Sequence, residues 1–453
     1  MAESRVHYYT DSAGDQFRAN MDDAPGLGFG ADPKADAGYR CQVIGASGQG
    51  GGQVTHQWPL MQDNLHRADL DAVIELLRQD DPRLTQGPKV RAFEEAFSEW
   101  LGVKHSVFVS SGSSANLLTM HALKELRGPG KVVVPTLTWA SDITSVLHAG
   151  LEPVFVDIDR RTLGMDMPSL DEVIKREKPL ASFVTHCMGY NACLTGRVDS
   201  RLRRDEYIED CCEAIGADSG GRKLGTFGLA SNFSFYYAHH MTTIEGGMIC
   251  TDDDGFADVC RMLRGHGMTR EASKVPELMV VDSDKGPGLA TTYHDHYGTS
   301  PDFTFAYAGF NCRNTEIAAA IGLSQLKRLD ENVQRRNENL RTFLAHLDPE
   351  TYQTDFAVDG CSSYALTLVL VHADLDLRDR VERHLLASGV EFRRGIAGGG
   401  NQLRQPYLRR LYGDHYKNFP NVEHVHSFGW YVGNHAGPQG EAIVRLCEGL
   451  NQL

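Results

Sequence analysis

The sequence lacks several patterns that would place it in a common class of protein. Its ten cysteines form no C-x-x-C pair and no zinc-type spacing, which argues against a structural zinc site. No apolar run is long enough to span a bilayer, and no apolar segment typical of a secretory signal follows Met1. The net charge of −15 disfavours nonspecific binding to nucleic acid. We therefore expect a reduced, cytoplasmic protein that binds neither membranes nor nucleic acid.

Lysine is also absent between Lys223 and Lys274. Within this gap stands SFYYAHHMTTIEGGMICTDD, which reads as a strand, a polar loop and a second strand. His239 and His240 stand where the loop begins. From the residues alone, the pair fits a solvated turn, core histidines or a catalytic base. A metal site is less favoured, because adjacent ligands rarely converge on one ion.

The composition changes along the chain in a way that predicts three regions. Residues 1–56 are polar and rich in glycine, which predicts a loosely ordered N-terminal arm or an exchanged segment. Residues 57–328 are expected to form a large domain, with a polar, irregular insertion near 270–303. Residues 329–453 are expected to form a smaller C-terminal α+β domain.

Continuous apolar strands alternate with helical stretches in the large region. SVFVS, KVVVP, PVFVDID, SFVTH and YIED are five candidate strands, and SNFSFYY and GGMICTD add two more. This alternation predicts an α/β fold with a buried, mainly parallel seven-stranded sheet. Upstream, one helix face is expected to carry Val90, Phe93, Phe97 and Trp100, with Gly102 as the stop. Downstream, residues 315–347 read as a long helix with room for a kink.

Polar residues follow several of the strands and carry candidate chemistry. Gly112, Ser113 and Ser114 stand between a strand and a helix, where N–H groups and hydroxyls suit a phosphate or an N-capping turn. Trp139 follows the next strand and could stack on a flat ring or pack in the core. Asp210 ends the YIED strand and could hold a protonated pyridine nitrogen or cap a helix.

Two later stretches add weaker signals. Ser234 is a second candidate phosphate donor at the end of a strand. Asn311 and Arg313 stand just before a helix, where capping alone would explain them.

The ordered set of motifs resembles the DegT/DnrJ/EryC1/StrS family of vitamin-B6-dependent sugar aminotransferases. The resemblance covers about residues 57–453 and rests on LTQGPKVRAFEEAFSEWLG, SSGSSANLL, YIEDCCEAIGA, SFYYAHHMTTIEGG and GFNCRNTEIAAAIGLSQLKRLDE. It implies a fold-type I transferase, similar to aspartate aminotransferase, with pyridoxal or pyridoxamine phosphate as cofactor. It also implies that Gly112, Ser113 and Ser234 bind the cofactor phosphate. Trp139 would stack on the cofactor ring, and Asp210 would hold the ring nitrogen.

The resemblance also implies an assembly. Asn311, in the FNCR stretch, would reach the cofactor phosphate of the neighbouring subunit. We therefore expect a homodimer with shared active sites.

One position departs from the family pattern. The family usually has a lysine five residues after the serine, where it bonds covalently to pyridoxal phosphate, and here that position is His239. This change is similar to a lysine-lacking subgroup, the nucleotide-sugar 3-dehydratases of the colitose type. The strings HHMTTIEGG, GGGNQLRQP and GWYVGNH resemble the same subgroup. The resemblance implies noncovalent pyridoxamine phosphate, with His239 as the base that replaces lysine.

The implied reaction is removal of the C3 hydroxyl from a nucleotide-linked 4-keto-6-deoxy sugar. L-glutamate would then restore pyridoxamine phosphate. A second subgroup instead uses a [2Fe–2S] cluster and a reductase. Cys212 occupies about the first cluster position, but residues 261–311 contain no cysteine. We therefore expect no iron–sulfur cluster.

Further sugar or phosphate contacts are carried over less firmly, and a merely structural role stays open for each. They are His186, Glu213, His240, Glu245, Arg313, Arg394 and Asn401. Two other functions also stay open: a sugar aminotransferase with an unusual base, and a noncatalytic protein that binds the cofactor or a sugar. The nucleotide, whether GDP, CDP or dTDP, is not determined by the sequence.

Overall fold

The computed structural model describes residues 6–10, 16–20, 57–62, 64–192, 206–272, 279–281, 290–437 and 439–453. The chain forms two compact units, Met1–Val54 and Thr55–Leu453. In the first unit, strands Val6–Thr10 and Gln16–Asn20 pair antiparallel, a pairing that the polar composition did not predict. The rest of the predicted arm lies outside the described residues.

A seven-stranded sheet forms the centre of the second unit, as the alternating apolar runs predicted. From one edge to the other, its strands are His105–Val109, Gly247–Thr251, Ala230–Ser234, Tyr207–Asp210, Ala181–Thr185, Lys131–Pro135 and Glu152–Val156. Gly247–Thr251 runs antiparallel to both of its neighbours, and the other pairings are parallel. Several strands are buried over their whole length, which explains their continuous apolar sequences.

Helices lie before, between and after these strands. In chain order they are Arg67–Leu77, Pro88–Leu101, Gly112–Arg127, Ala140–His148, Met167–Glu177, Asp254–Arg264, Tyr293–Tyr297, Glu316–Leu326, Leu329–His346, Leu375–Ala387, the short turn Ile396–Gly399, Pro406–Tyr412, Pro420–Phe428 and Gly440–Leu450. Val90, Phe93 and Phe97 are fully buried on one face of their helix. That helix ends at Gly102, whose φ of 92° is left-handed, as the predicted stop requires.

The helical pattern at 315–347 forms two helices rather than one. Glu316–Leu326 ends before Lys327, and Leu329–His346 begins after Arg328. Arg328 donates from Nη2 to Asp69 Oδ2 at 2.5 Å and from Nη1 to Asp69 Oδ1 at 2.9 Å. The interruption between the two helices therefore falls at an arginine that pairs with a buried carboxylate.

The C-terminal residues form a second, smaller sheet. Gly429–Val432 is its middle strand and pairs antiparallel with Leu366–Val369 and with Phe392–Arg394. Side chains from this part and from the large region share one buried core. The predicted boundary near residue 328 stays a prediction.

The predicted insertion near 270–303 is described only in part. Met279–Val281 and Ala290–Thr292 pair antiparallel, and a short helix follows at Tyr293–Tyr297. Among the described helices, none combines the length and the apolar character that crossing a membrane would require.

Candidate active site

A cavity of about 450 Å³ lies at the carboxyl ends of the parallel strands, where ligands gather in open α/β sheets. It brings together many of the predicted site residues, which come from distant parts of the sequence. Those that line it are Gly112, Ser113, Trp139, Asp210, Glu213, Ser234, His239 and Glu245. The remaining lining residues are Met61, Ser111, Ser141, Cys212, Tyr236, Tyr364, Arg393 and Tyr431.

One end of the cavity is a cradle at a helix start. The hydroxyl of Ser111 accepts the Ser114 N–H at 3.0 Å and caps the helix that begins at Gly112. Gly112 faces Ser234 so closely that an added methyl group would lie 2.6 Å from Ser234 Cβ. The first N–H groups of the helix and the Ser234 hydroxyl therefore meet at one place, an arrangement that suits an anion. Ser114 lies just outside the lining, with its hydroxyl 2.8 Å from that of Ser110.

Asp210 supplies a carboxylate to the cavity from the end of a central strand. It is buried at the end of its strand. Its Oδ1 accepts the Cys212 N–H at 2.8 Å, and its Oδ2 accepts from Asn116 Nδ2 at 2.9 Å. Both oxygens are held by donors, so the carboxylate has a fixed orientation.

Trp139 forms part of the cavity wall rather than the core. Its side chain is 54% exposed, although large apolar rings are mostly buried in folded proteins. The indole is therefore free to lie against a flat ligand ring, and the core alternative for Trp139 is excluded.

His239 contributes an imidazole ring to the cavity wall. The residue is only 8% exposed, and its Nδ1 has no hydrogen-bond partner among the described residues. Burial, with a smaller effect of the Arg336 charge, lowers the pKa of His239 from its ordinary 6.5 to about 3. The ring is therefore neutral near pH 7 and can accept a proton. This rules out the solvated-turn alternative.

His240 has a different environment from its neighbour. It is fully buried, and its Nε2 donates to the carbonyl oxygens of Ser362 at 3.1 Å and Ser363 at 3.2 Å. Burial lowers its pKa well below the usual range. His240 is thus a core histidine that ties the loop to the C-terminal region, and it lies outside the cavity lining.

Glu213 adds a second titratable group to the cavity. Its Oε2 accepts the Met188 N–H at 2.7 Å. Burial, opposed by this hydrogen bond and reinforced by the Asp210 charge, raises its pKa to about 7. The cavity therefore holds a neutral imidazole and a carboxyl that exchanges its proton near neutral pH.

Two predicted sugar contacts, His186 and Asn401, are part of the buried framework. His186 donates from Nε2 to Glu209 Oε2 at 3.3 Å, while its Nδ1 accepts the Ala192 N–H. Asn401 caps a short helical turn and donates to Glu423 Oε1 at 2.8 Å. Both side chains are fully buried and lie outside the cavity lining.

The remaining predicted site residues, Arg394, Arg313 and Asn311, lie outside the cavity lining. Arg394 forms an ion pair with Glu382 at 3.3 Å, and the preceding residue, Arg393, lines the cavity instead. Arg313 donates from Nε to Asn311 Oδ1 at 3.3 Å, and neither residue reaches the cavity of its own chain. The role expected for Asn311 concerns a neighbouring subunit and stays a prediction.

One buried group has the spacing of a metal site, namely His186, Glu209 and Cys211, whose ligand atoms lie within 4.8 Å of one another. The carboxylate of Glu209 already accepts the backbone N–H groups of Gly225, Phe227 and Gly228. Its lone pairs are engaged in holding a turn, so this group is explained as internal support.

Comparison with known proteins identifies the family. The model for the DegT/DnrJ/EryC1/StrS aminotransferase family matches residues 63–451, and the chain belongs to this family.

Two relatives and one solved structure show the range of similarity. The GDP-4-keto-6-deoxy-D-mannose 3-dehydratase of Yersinia pseudotuberculosis is 30% identical over 397 residues, covering 86% of this chain and 97% of that protein. The GDP-perosamine synthase of Caulobacter vibrioides is 34% identical over 308 residues, covering 66% and 74%. A crystal structure of GDP-4-keto-6-deoxymannose-3-dehydratase with a trapped PLP-glutamate geminal diamine is 29% identical, with a TM-score of 0.74 over 87% of this chain and 100% of that chain.

These findings confirm the fold-type I prediction and make pyridoxal or pyridoxamine phosphate the expected cofactor. The cavity fits such a group on its own geometry. The cradle of Gly112 and Ser234 suits the phosphate, Trp139 offers a face for the ring, and Asp210 offers an anion for the ring nitrogen. His239 lines the same space.

Proposed function

We propose that this chain is a pyridoxamine-phosphate-dependent 3-dehydratase of a nucleotide-linked 4-keto-6-deoxyhexose. One observation carries the proposal. His239 lines the cavity and stands at the sequence position of the usual lysine. No lysine stands among the described residues that line the cavity. A site without an amine of its own must receive the reactive amine from pyridoxamine phosphate.

The bound cofactor supplies the amine that meets the sugar ketone and a ring that accepts electrons. The chain's residues hold and polarise it. The N–H groups at Gly112 and Ser113, with the Ser234 hydroxyl, would bind the phosphate. Asp210 would keep the ring nitrogen protonated, which stabilises the charge that develops during the reaction.

The reaction needs two proton transfers, which we assign to His239 and Glu213. His239 is neutral at physiological pH and would take the proton from the C4′ carbon of the cofactor. The C3 hydroxyl must gain a proton to leave as water. Glu213, whose pKa of about 7 keeps part of it protonated, is suited to supply that proton. Tyr236, Tyr364 and Arg393 complete the wall that would face the sugar nucleotide.

The completed reaction consumes one amine equivalent, because hydrolysis of the deoxygenated product releases ammonia. We propose L-glutamate as the donor that restores pyridoxamine phosphate, by similarity to the solved 3-dehydratase structure that contains PLP and glutamate. The relatives named for GDP sugars favour GDP as the nucleotide. No iron–sulfur cluster is required by this route.

The second candidate function is aminotransfer to the 4-keto sugar. The family is named for aminotransferases, and a GDP-perosamine synthase is 34% identical over 66% of this chain. The missing lysine disfavours it, because aminotransfer moves a proton between C4′ and the sugar carbon.

Substitution of His239 tests whether this residue acts as the base in place of the usual lysine. We expect the wild-type protein to bind pyridoxal phosphate without a covalent link, so that borohydride treatment leaves the polypeptide mass unchanged. His239→Lys should acquire the cofactor mass under the same treatment and lose deoxygenation. His239→Asn should bind pyridoxamine phosphate and turn over about 10²- to 10⁴-fold more slowly. Deoxygenation at the wild-type rate by His239→Asn would remove the imidazole from the reaction.

A further inference from the structure

Asp142 is a buried carboxyl group that the proposed reaction does not use. It lies in the first turn of the helix Ala140–His148 and is 0% exposed. Its Oδ2 is in contact with two threonine hydroxyls, those of Thr138 and Thr185, the latter at 2.5 Å. Its Oδ1 accepts from Asn116 Nδ2 at 2.8 Å. Three side chains, two of them from distant parts of the sequence, therefore converge on this one carboxyl group.

The same group connects Asp142 to the cofactor anchor. Asn116 Nδ2 also donates to Asp210 Oδ2 at 2.9 Å, so one amide bridges the two carboxyl groups. Thr185 and Asp210 are register partners on adjacent parallel strands. Asp142 is thus linked to Asp210 through Asn116, and only Asp210 lines the cavity.

The charge on Asp210 affects the protonation of Asp142. Among the described residues, Asp210 is the charged group that acts on Asp142. Burial, and then the Asp210 charge, hold the pKa of Asp142 well above its usual range. A proton on Asp142 would remove the repulsion between its carboxyl group and the Asp210 charge.

We propose that Asp142 is a positioning residue that keeps its proton, donates it as a hydrogen bond to Asp210, and so holds Asp210 as the single anion facing the cofactor ring nitrogen. This inference rests on the cofactor site of the proposed function. The hydrogen bond fixes the rotamer of Asp210 and withdraws charge from it. Asp142 therefore sets how tightly Asp210 retains the proton on the ring nitrogen.

A purely structural role makes a different prediction. A residue that only packs and hydrogen-bonds would change the stability of the protein when replaced, and nothing else. A positioning residue also changes the protonation of the bound cofactor, which can be read from the cofactor itself.

Infrared spectroscopy of the full-length protein, with and without pyridoxamine phosphate, tests the proton. Asp142→Asn keeps the size and the hydrogen bonds and removes the acid. We expect the difference spectrum against wild type at neutral pH to lose the carbonyl band of a protonated carboxylic acid. Asp258→Asn is the matched control, because Asp258 is also buried but pairs with Arg261 at 2.9 Å, and it should lose a carboxylate band. Loss of a carboxylate band from Asp142→Asn would overturn the proposal.

The ¹⁵N chemical shift of the ring nitrogen, in labelled pyridoxamine phosphate bound to the protein, tests the positioning. Asp142→Leu leaves Asp210 without its acid partner and more basic. The titration midpoint of the ring nitrogen should rise by about one to two pH units. Asp142→Asn, which keeps a donor, should stay close to wild type. An unchanged midpoint in Asp142→Leu would contradict the inference.

The two proposals fail in different ways. A protein that shows both signatures and converts no sugar refutes the 3-dehydratase function and leaves the role of Asp142 standing. A wild-type protein that does not bind pyridoxamine phosphate overturns both.

Discussion

At the residue scale, the environment of His239 has a consequence for folding as well as for chemistry. The folded protein keeps this imidazole neutral down to a pKa of about 3, whereas the unfolded chain binds the proton below about 6.5. Its stabilising contribution is therefore present above pH 6.5 and is lost as the pH falls from 6.5 towards 3. The unfolded state binds more protons throughout that window.

We expect His239→Asn to lessen this loss. Between about pH 7.5 and about pH 5, the free energy of unfolding should fall by about 2 kcal/mol more in wild type than in His239→Asn. Denaturant unfolding at the two pH values measures the difference. The same substitution at His346, which is exposed, is the control because it opens no buried site. Parallel pH dependences for wild type and His239→Asn would show that His239 is not held neutral.

The two histidines also show where sequence reasoning ends. The spacing identified both as candidates, but it did not separate the cavity residue His239 from the core residue His240. Their difference arises because Ser362 and Ser363, more than a hundred positions away, offer carbonyl acceptors to only one ring. The same limit applies to Arg393 and Arg394, because alternate strand residues face opposite sides and the side chosen depends on the neighbouring sheet.

At the element scale, the start of the helix Gly112–Arg127 must approach the end of the strand Ala230–Ser234. A methyl group on Gly112 would lie 2.6 Å from Ser234 Cβ and 3.0 Å from Cys212 Sγ. Gly112→Ala should therefore lower the free energy of unfolding by about 1–3 kcal/mol and weaken cofactor binding, because the cradle must open. Calorimetric titration with pyridoxamine phosphate and denaturant unfolding measure the two effects.

Gly255 provides the matched control for this element. It also lies in the first turn of a helix, Asp254–Arg264, and the nearest atom to an added methyl is 3.4 Å away. Gly255→Ala should be neutral or stabilise by up to about 1 kcal/mol. Equal cofactor affinities for Gly112→Ala and Gly255→Ala would refute the phosphate cradle.

Elements with long, uniform patterns were predictable from the sequence. The structure contains the seven predicted apolar strands and the helix bearing Val90, Phe93 and Phe97. These were predictable because burial on one or two faces of an element requires a regular pattern of apolar residues in the sequence. No such pattern in the sequence indicates the break between Leu326 and Leu329. It depends on Arg328 reaching Asp69, a contact between residues that are distant in sequence.

At the scale of the whole molecule, the proposed homodimer would complete each active site with Asn311 from the neighbour. Asn311 is exposed and lies outside the cavity of its own chain. Asn311→Ala and His239→Asn should each be defective, and refolding them together in equal amounts should restore about a quarter of wild-type activity, because half of the dimers are mixed and each has one intact site. Turnover of the mixture measures this. No recovery, despite mixed dimers by mass, would contradict a shared site.

The most direct test of the central claim is the mass of the sugar product. The purified protein would be incubated with pyridoxamine phosphate, L-glutamate and GDP-, CDP- or dTDP-linked 4-keto-6-deoxyhexoses. We predict a product that has lost the C3 oxygen and kept a ketone, with one ammonia released per sugar. A product that has gained an amine and kept its C3 hydroxyl would contradict the account and assign the protein to aminotransfer.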